Sequence, residues 1–248
     1  MYQTSFATAT RPFAEPLLDA ANVRDGARLL DIACGPGLVA SLALSRGAVA
    51  RGLDFSPAML AIARTNGIAT DEGDAEALPY ADNTFDAVVS NFGIHHVPRP
   101  ALALREAHRV LHDGGRVAFS FWADHSDNIA WKLLFDAIAR HGDPTASDAP
   151  APGGGFRGAA QCAEALRTAG FLDCSTQLVH ANWHHADARA LVSALQTGTA
   201  RMAAMIEAQD PTAMPAIIAD IDANAAAYRS AHGIEVPIAA VIAAGTKR

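Results

Sequence analysis

The residue types able to do chemistry are concentrated in the first half of the chain. Arg28 to Gly37 reads RLLDIACGPG: an apolar run of Leu29, Leu30 and Ile32 carries Asp31 and leads straight into a Gly-Pro-Gly turn. Gly35 and Gly37 take side chains out of that turn, so a ligand can lie against the backbone just before a helix opens at Leu38. A second acid, Asp54, closes the next short apolar run about 20 residues later, where a carboxylate accepts both hydroxyls of a ribose. The adjacent histidines His95 and His96 stand in a loop after a further strand, and an imidazole near its ordinary pKa can take the proton from a hydroxyl or amine.

Strand, glycine turn and helix make a nucleotide-binding unit, and two cofactor classes use one. Gly35, Gly37 and Ala40 satisfy the loose G-x-G-x-x-A pattern of dinucleotide sites, in which a pyrophosphate rests on the turn. Asp31 argues the other way, because a carboxylate at the lip repels a pyrophosphate and attracts a ligand carrying an ammonium and a sulfonium. S-adenosyl-L-methionine is such a ligand. An NAD(P)-dependent oxidoreductase is the rival reading, and it leaves Asp31 and the segment Gly73–Tyr80 unused. A second rival is a cofactor-binding partner subunit without turnover, since the cofactor half is written clearly and the catalytic half faintly.

The elements that must position these residues follow from pattern. Ala48 to Leu53 is a short strand, and Ser56 with Pro57 starts a helix that turns Met59, Ile62 and Ala63 toward the sheet; Met59 either packs there or covers an adenine face. The strand Ala87–Ser90 feeds the loop Asn91–Pro98, and ligands of open α/β sheets collect beyond the carboxyl ends of strands. After the helix Pro100–Leu111 and a glycine C-cap at Asp113–Gly115, Arg116–Trp122 alternates as a fifth strand, with Trp122 at its ligand-facing end either lining a substrate pocket or packing in the core. Before the glycine turn, Phe13–Ala21 reads as an amphipathic helix with Phe13, Leu17 and Leu18 on one side.

The segments LLDIACGPG, GLDFS, GDAEALPYADNTFDAVVSNFGIHHV and LREAHRVLHDGGRVAFSFW, in this order and spacing, resemble the successive motifs of class I S-adenosylmethionine-dependent methyltransferases. They most resemble the small-molecule branch that includes the ubiquinone/menaquinone-biosynthesis type. The resemblance spans roughly Asp25 to Trp122 and returns weakly at ALRTAGF. It implies that Asp31 and the Gly35 backbone hold the methionine end of the cofactor and that Gly37 permits close approach. By the same resemblance Asp54 takes the ribose hydroxyls, Asp74 the adenine amino group and the Ala75 amide a ring nitrogen, while the Asn91 carbonyl holds the ammonium. Asp86 fits the pattern as a structural residue at the start of its strand. Tyr2, Phe6, Arg11 and Phe13 become lid positions, with Phe13 and Trp122 against substrate and His95 and His96 flanking methyl transfer.

The implied fold is α/β and Rossmann-like: a seven-stranded, mostly parallel sheet with an antiparallel last strand, in one domain over residues 1–248 with a helical cap insertion at 183–230. The cap reads as helices Asp187–Leu195, Thr199–Ala208 and Met214–Tyr228, with Leu191, Leu195, Met202, Met205, Ile206, Ile217, Ile221 and Tyr228 apolar. Pro and Gly in DPTASDAPAPGGG mark a lid or linker between Asp143 and Gly155. The final strand runs from Ile234 to Gly245, where Pro237 limits pairing.

Composition narrows the partners. With 19 basic residues scattered among 26 acidic ones and a formal charge of −7, a phosphate-tracking groove for nucleic acid is excluded as the main site. No apolar run reaches the roughly 18 residues of a membrane span. Three spaced cysteines build neither a disulfide framework nor a zinc site, the N-terminus lacks a signal peptide's pattern, and a reducing cytoplasm fits. His184, His185 and Asp187 find no further ligands to complete a metal set. The partner expected is a small-molecule methyl acceptor, a heterocycle or phenol by the aromatic and histidine content, methylated on N, O or C.

Overall fold

The computed structural model describes residues 6–124, 126–147 and 158–248. It contains two compact units, one of residues 10–122, 152–179 and 240–248, the other of residues 1–9, 123–151 and 180–239.

In the first unit, a chain rich in Leu, Val and Ala alternates strand and helix. The strands are β1 (Arg28–Ile32), β2 (Val49–Asp54), β3 (Ala69–Glu72), β4 (Phe85–Asn91) and β5 (Leu111–Trp122). Between them run α3 (Leu38–Ser45), α4 (Pro57–Thr65) and α5 (Pro100–Val110), and before them α2 (Ala14–Ala20). The helix α7 (Ala159–Thr168) precedes β6 (Leu172–His185), and β8 (Gly233–Thr246) closes the chain. The sheet order is β3-β2-β1-β4-β5-β8-β6, with the two-residue β7 (Arg229–Ser230) against β8. The seven long strands match expectation, and β7 adds an eighth too short to show in the sequence pattern.

β1 pairs in parallel with both β2 and β4, so chain order reverses at β1 and leaves a crevice beyond its carboxyl end. β8 runs antiparallel to β5 from Ala240 to Thr246, and Pro237 lies before that ladder begins. Asp86 ties the two central strands at their entry: its carboxylate accepts from the Arg28 backbone N–H at 2.9 Å and from the guanidinium at 3.2 Å. Leu17, Leu18, Leu29, Val39, Ile68, Val89 and Ile242 share the core beneath.

Two local expectations change. In α4 the buried residues are Leu60 and Ala63, whereas Met59 and Ile62 are half-buried, so the expected face is only partly the buried one. α5 ends at Val110 and Leu111 is already extended, so Gly114 and Gly115 sit in an irregular stretch of β5 rather than in a helix cap; the β4–β5 register slips between Phe85 and Ala87 there.

The second unit is helical: α1 (Phe6–Thr10), α6 (Ile129–His141), α8 (Ala188–Gly198), α9 (Ala200–Glu207) and α10 (Met214–Asn224), followed by a 3-10 turn at Ala225–Tyr228. Leu134, Ile138, Leu191, Leu195, Met202, Ile206, Ile217 and Ile221 are buried, whereas Met205 and Tyr228 are half-buried. Asn128 is a staple of this unit, its amide donating to the carbonyls of Ala123 and Ala239 at 2.8 and 3.1 Å while its oxygen accepts from Ala239 N at 2.9 Å. Gln209 does the same for Asp143, accepting from its N–H at 2.8 Å and donating to its carbonyl at 2.9 Å. The unit draws in residues 123–151 besides the expected insertion. Much of the expected lid at 143–155 falls outside the described residues.

Candidate functional site

β1 hands over to the glycine turn through Ala33, which adopts φ +54°, followed by Gly35 at +53° and Gly37 at +85°. A left-handed alanine costs about 1–2 kcal/mol, a cost tolerated where the surroundings fix the backbone. The two glycines serve different ends. A Cβ on Gly35 would meet nothing within 4 Å, so this is the open side of the turn. On Gly37 it would stand 2.9 Å from Ile68 Cγ1 and 3.3 Å from Ala63 Cβ, so Gly37 is required by φ and by close packing.

Both acids sit at strand ends, in unlike environments. Asp54 accepts from Gly35 N–H at 2.8 Å and from Ser56 N–H at 2.9 Å, which ties the ends of β1 and β2 and fixes the carboxylate's orientation. Asp31 is 1% exposed and accepts from Ala40 N–H, in the first turn of α3, at 3.2 Å. Burial pushes its carboxyl up to about 8, the Ala40 bond opposes this, and the charge of Asp54 adds to the rise; no cation is among these influences. Asp31, expected as a carboxylate at the lip of the turn, is therefore a buried acid whose surroundings favour its protonated form. A cationic group brought alongside would favour its ionisation. Next to Asp54, Phe55 is 79% exposed, an aromatic face that sequence reasoning missed; an apolar residue directly after the strand-end acid was the signal.

The segment after β3 is anchored to α5. Asp74 is exposed and its Oδ1 accepts from Glu76 N–H at 2.8 Å, while Ala75 is buried. Glu106 accepts from Leu78 N–H at 2.8 Å, and Arg109 donates to the carbonyls of Leu78 and Tyr80 at 3.0 and 2.8 Å and to Asp82 at 2.8 Å. Arg109 also pairs with Glu106 at 2.7 Å, which holds Arg109 above its ordinary pKa and Glu106 below its own. Neither residue was singled out from the sequence, although both lie in the LREAHRV motif.

Beyond β4, Asn91 accepts from Ser120 Oγ at 2.7 Å and donates to the Thr10 carbonyl at 3.3 Å. The same hydroxyl accepts from Phe92 N–H at 3.0 Å, holding Phe92 at φ +56°. Gly93 must be glycine, since a Cβ would lie 2.6 Å from Ala33 Cβ and 2.9 Å from Ser90 Oγ. Phe92 stacks on Trp122 with centroids 4.2 Å apart, and Phe13 meets both edge-on at 5.6 and 5.7 Å. Phe13 is fully buried in this cluster, whereas Trp122 is half-buried. Of the other lid positions, Arg11 is exposed, and Tyr2 and the Phe6 side chain lie outside what the structure describes.

His95 and His96 form a 3-10 turn with ring centroids 4.0 Å apart. Nδ1 of His95 is buried without a hydrogen-bond partner, and burial, with the neighbouring His96, pushes its pKa down to about 3. Partial burial of its ring lowers His96 as well. In the helical unit, Asp187 caps α8 by accepting from Ala190 N–H at 2.8 Å, and His185 is buried with its Nε2 unpartnered. Among the described residues no group of three or more His, Cys, Asp or Glu could hold a metal ion, and no helix is long and apolar enough to cross a membrane.

Residues 30–119 match the family described as "Methyltransferase domain", and sheet order and helices are those of a Rossmann-like class I methyltransferase fold. Relatives include the ubiquinone/menaquinone biosynthesis C-methyltransferase UbiE of Roseobacter denitrificans, 38% identical over 152 residues, covering 56% of this chain and 61% of that protein. The demethylmenaquinone methyltransferase of Chlorobaculum parvum is 45% identical over 91 residues, covering 36% of this chain and 38% of that protein. The chain thus spans between 38% and 61% of the length of these curated relatives. Among solved structures, the YcgJ protein of Bacillus subtilis has the same fold, with TM-score 0.59, 18% identity and coverage of 95% and 97% of the two chains. So does the [4+2]-cyclase SpnF, with TM-score 0.53, 21% identity and coverage of 100% and 85%.

Proposed function

We propose that the chain is an S-adenosylmethionine-dependent methyltransferase acting on an N, O or C nucleophile of a small organic molecule. The observation that carries this reading is the pairing of Asp31 and Asp54 around one open turn: a buried carboxyl that lacks a cation beside a carboxylate oriented by two backbone donors. An ammonium-bearing sulfonium nucleoside suits that pair, and a pyrophosphate gains nothing from Asp31.

In this reading Asp31 and the Gly35 backbone serve the methionine end, Asp54 the ribose, and Asp74 and the Ala75 amide the adenine. Phe55 and Met59 offer apolar surface to the ring, and the Asn91 carbonyl takes the ammonium. The cofactor supplies an electrophilic methyl on a positively charged sulfur; the chain's residues align the acceptor and exclude water, and positioning of that kind supplies roughly 7–11 kcal/mol of barrier lowering. His95 and His96 flank the acceptor, where an imidazole takes the proton of an O–H or N–H nucleophile. The relatives' names point to C-methylation in quinone biosynthesis, and the Phe92–Trp122 stack supports a planar aromatic acceptor such as a phenol or heterocycle. We assign acceptor choice to the helical insertion at 183–230.

The test is to incubate the protein with labelled methyl donor and a metabolite extract. Label should move to small aromatic acceptors. Absence of transfer, with the donor bound tightly, would favour a partner subunit without turnover; SpnF, titled a cyclase, shows that this fold is not restricted to proteins named for methyl transfer.

A further inference from the structure

Glu76 occupies a position that no cofactor contact explains. Its carboxylate is 4% exposed, although its partner Arg99 is 70% exposed. Glu76 Oε1 accepts from the Arg99 backbone N–H at 2.6 Å and Oε2 accepts from Arg99 Nε at 2.7 Å. Arg99 is the N-cap residue of α5, and its own side chain makes no capping bond, so the acid from the preceding segment is what meets this helix entrance. On the other side, Glu76 N–H donates to Asp74 at 2.8 Å. A continuous line therefore runs from Asp74 through Glu76 to Arg99, three residues after His96. At the far end of α5, Glu106 and Arg109 fasten the same segment at Leu78 and Tyr80. The helix and the 74–80 segment are bound at both ends, and the histidine turn leads directly into that helix.

We propose that Glu76 is a positioning residue that transmits occupancy of the adenine end of the site, at Asp74 and Ala75, to the His95–His96 turn. This rests on the cofactor reading above. Asp74 now spends one carboxylate oxygen on the Glu76 amide; a ligand amino group donating to Asp74 restrains that carboxylate, hence the Glu76 amide, and hence the carboxylate that caps Arg99. Ordering of the turn then follows binding of the nucleoside half alone, before any acceptor arrives. A purely structural Glu76 would stabilise the protein equally with and without ligand.

The experiment uses the full chain with adenosine and S-adenosylhomocysteine as probes, calorimetry for affinity and amide hydrogen exchange over residues 93–99 for the turn. In the wild type, adenosine should slow exchange over 93–99 about fivefold or more. In Glu76→Gln, adenosine should still bind within about threefold, but the ligand-induced slowing should fall below twofold. Glu76→Asp, which keeps the charge, should restore part of it. Equal ligand-induced protection in wild type and Glu76→Gln would overturn the proposal. If Glu76→Gln does not fold, Arg99→Ala provides the second arm: it keeps the backbone cap, removes the guanidinium contact, and should reduce the slowing by half or more, with unchanged slowing again overturning it. Failure of the wild type to bind either probe would instead refute the cofactor reading, a separate result from bound ligand without protection.

Discussion

The two units treat buried polar groups differently. In the helical unit, Asn128 and Gln209 engage both ends of their amides with backbone of distant segments, so their burial serves architecture. In the Rossmann-like unit, the polar groups where β1 and β4 end are under-partnered: Asp31 has one donor, and Ser90 Oγ and His95 Nδ1 have none. An unmet buried polar group costs about 1–3 kcal/mol, and such costs gather where a ligand can repay them. His185 is the helical unit's exception, packed against Trp183 with centroids 4.3 Å apart. The contrast separates buried polar groups engaged by distant backbone from buried polar groups with bonding capacity to spare, Thr70 Oγ1 in β3 among them.

Four changes would break or sharpen this contrast. Asn128→Ala should have the largest effect, lowering stability by about 3 kcal/mol in denaturant titration because several buried backbone groups lose partners. S-adenosylhomocysteine affinity should stay within about twofold; a larger change would blur the division between the units. Gly93→Ala should cost about 1–3 kcal/mol by overpacking against Ala33. Adding Ala33→Gly should return at least part of that stability, and no recovery would mean that Ser90 and the Ala33 carbonyl set the limit. Asp54→Ala should weaken S-adenosylhomocysteine binding by roughly 1–3 kcal/mol in calorimetry, with unchanged affinity meaning that the ribose lies elsewhere.

The fourth change is read from pH dependence, where the sign of a slope is the test. Asp31's folded pKa is raised from 3.8 to about 8, so the native state binds this proton more strongly than the unfolded chain and its contribution to stability falls as pH rises through that window. His95, lowered from 6.5 to about 3, acts in the opposite sense: its contribution is present above pH 6.5 and is lost as pH falls toward 3. The stability of Asp31→Asn relative to wild type should therefore increase from pH 4 to pH 8. A flat difference in paired melting curves would show that Asp31 does not carry the shift.

The parallel strands and their turns were legible because each motif couples local pattern to one structural demand. RLLDIACGPG fixes a strand end, a left-handed turn and a helix start, and Asp86 was recognisable as the residue tying its strand. What the sequence hid was side-chain environment. That Ala40 and the core close over Asp31, and that Ile68 packs against Gly37, does not show in the strand-turn-helix pattern. Phe13 pointed to a lid, but its burial between Phe92 and Trp122 depends on contacts with residues about 80 and 110 positions away in the chain, which periodicity cannot convey. Glu106 and Arg109 were hidden for the same reason. In the helical unit, amphipathic spacing revealed the helices, but the recruitment of residues 123–151 required the tertiary contacts.

The central claim is that the open turn between Asp31 and Asp54 takes a sulfonium nucleoside in preference to a dinucleotide. Titrating the full chain by calorimetry with S-adenosylmethionine and, separately, NADH tests it. The account predicts saturable binding of S-adenosylmethionine at least about tenfold tighter than NADH, with the preference shrinking in Asp31→Asn. Tighter binding of NADH, or an undiminished preference without the carboxylate, would contradict it.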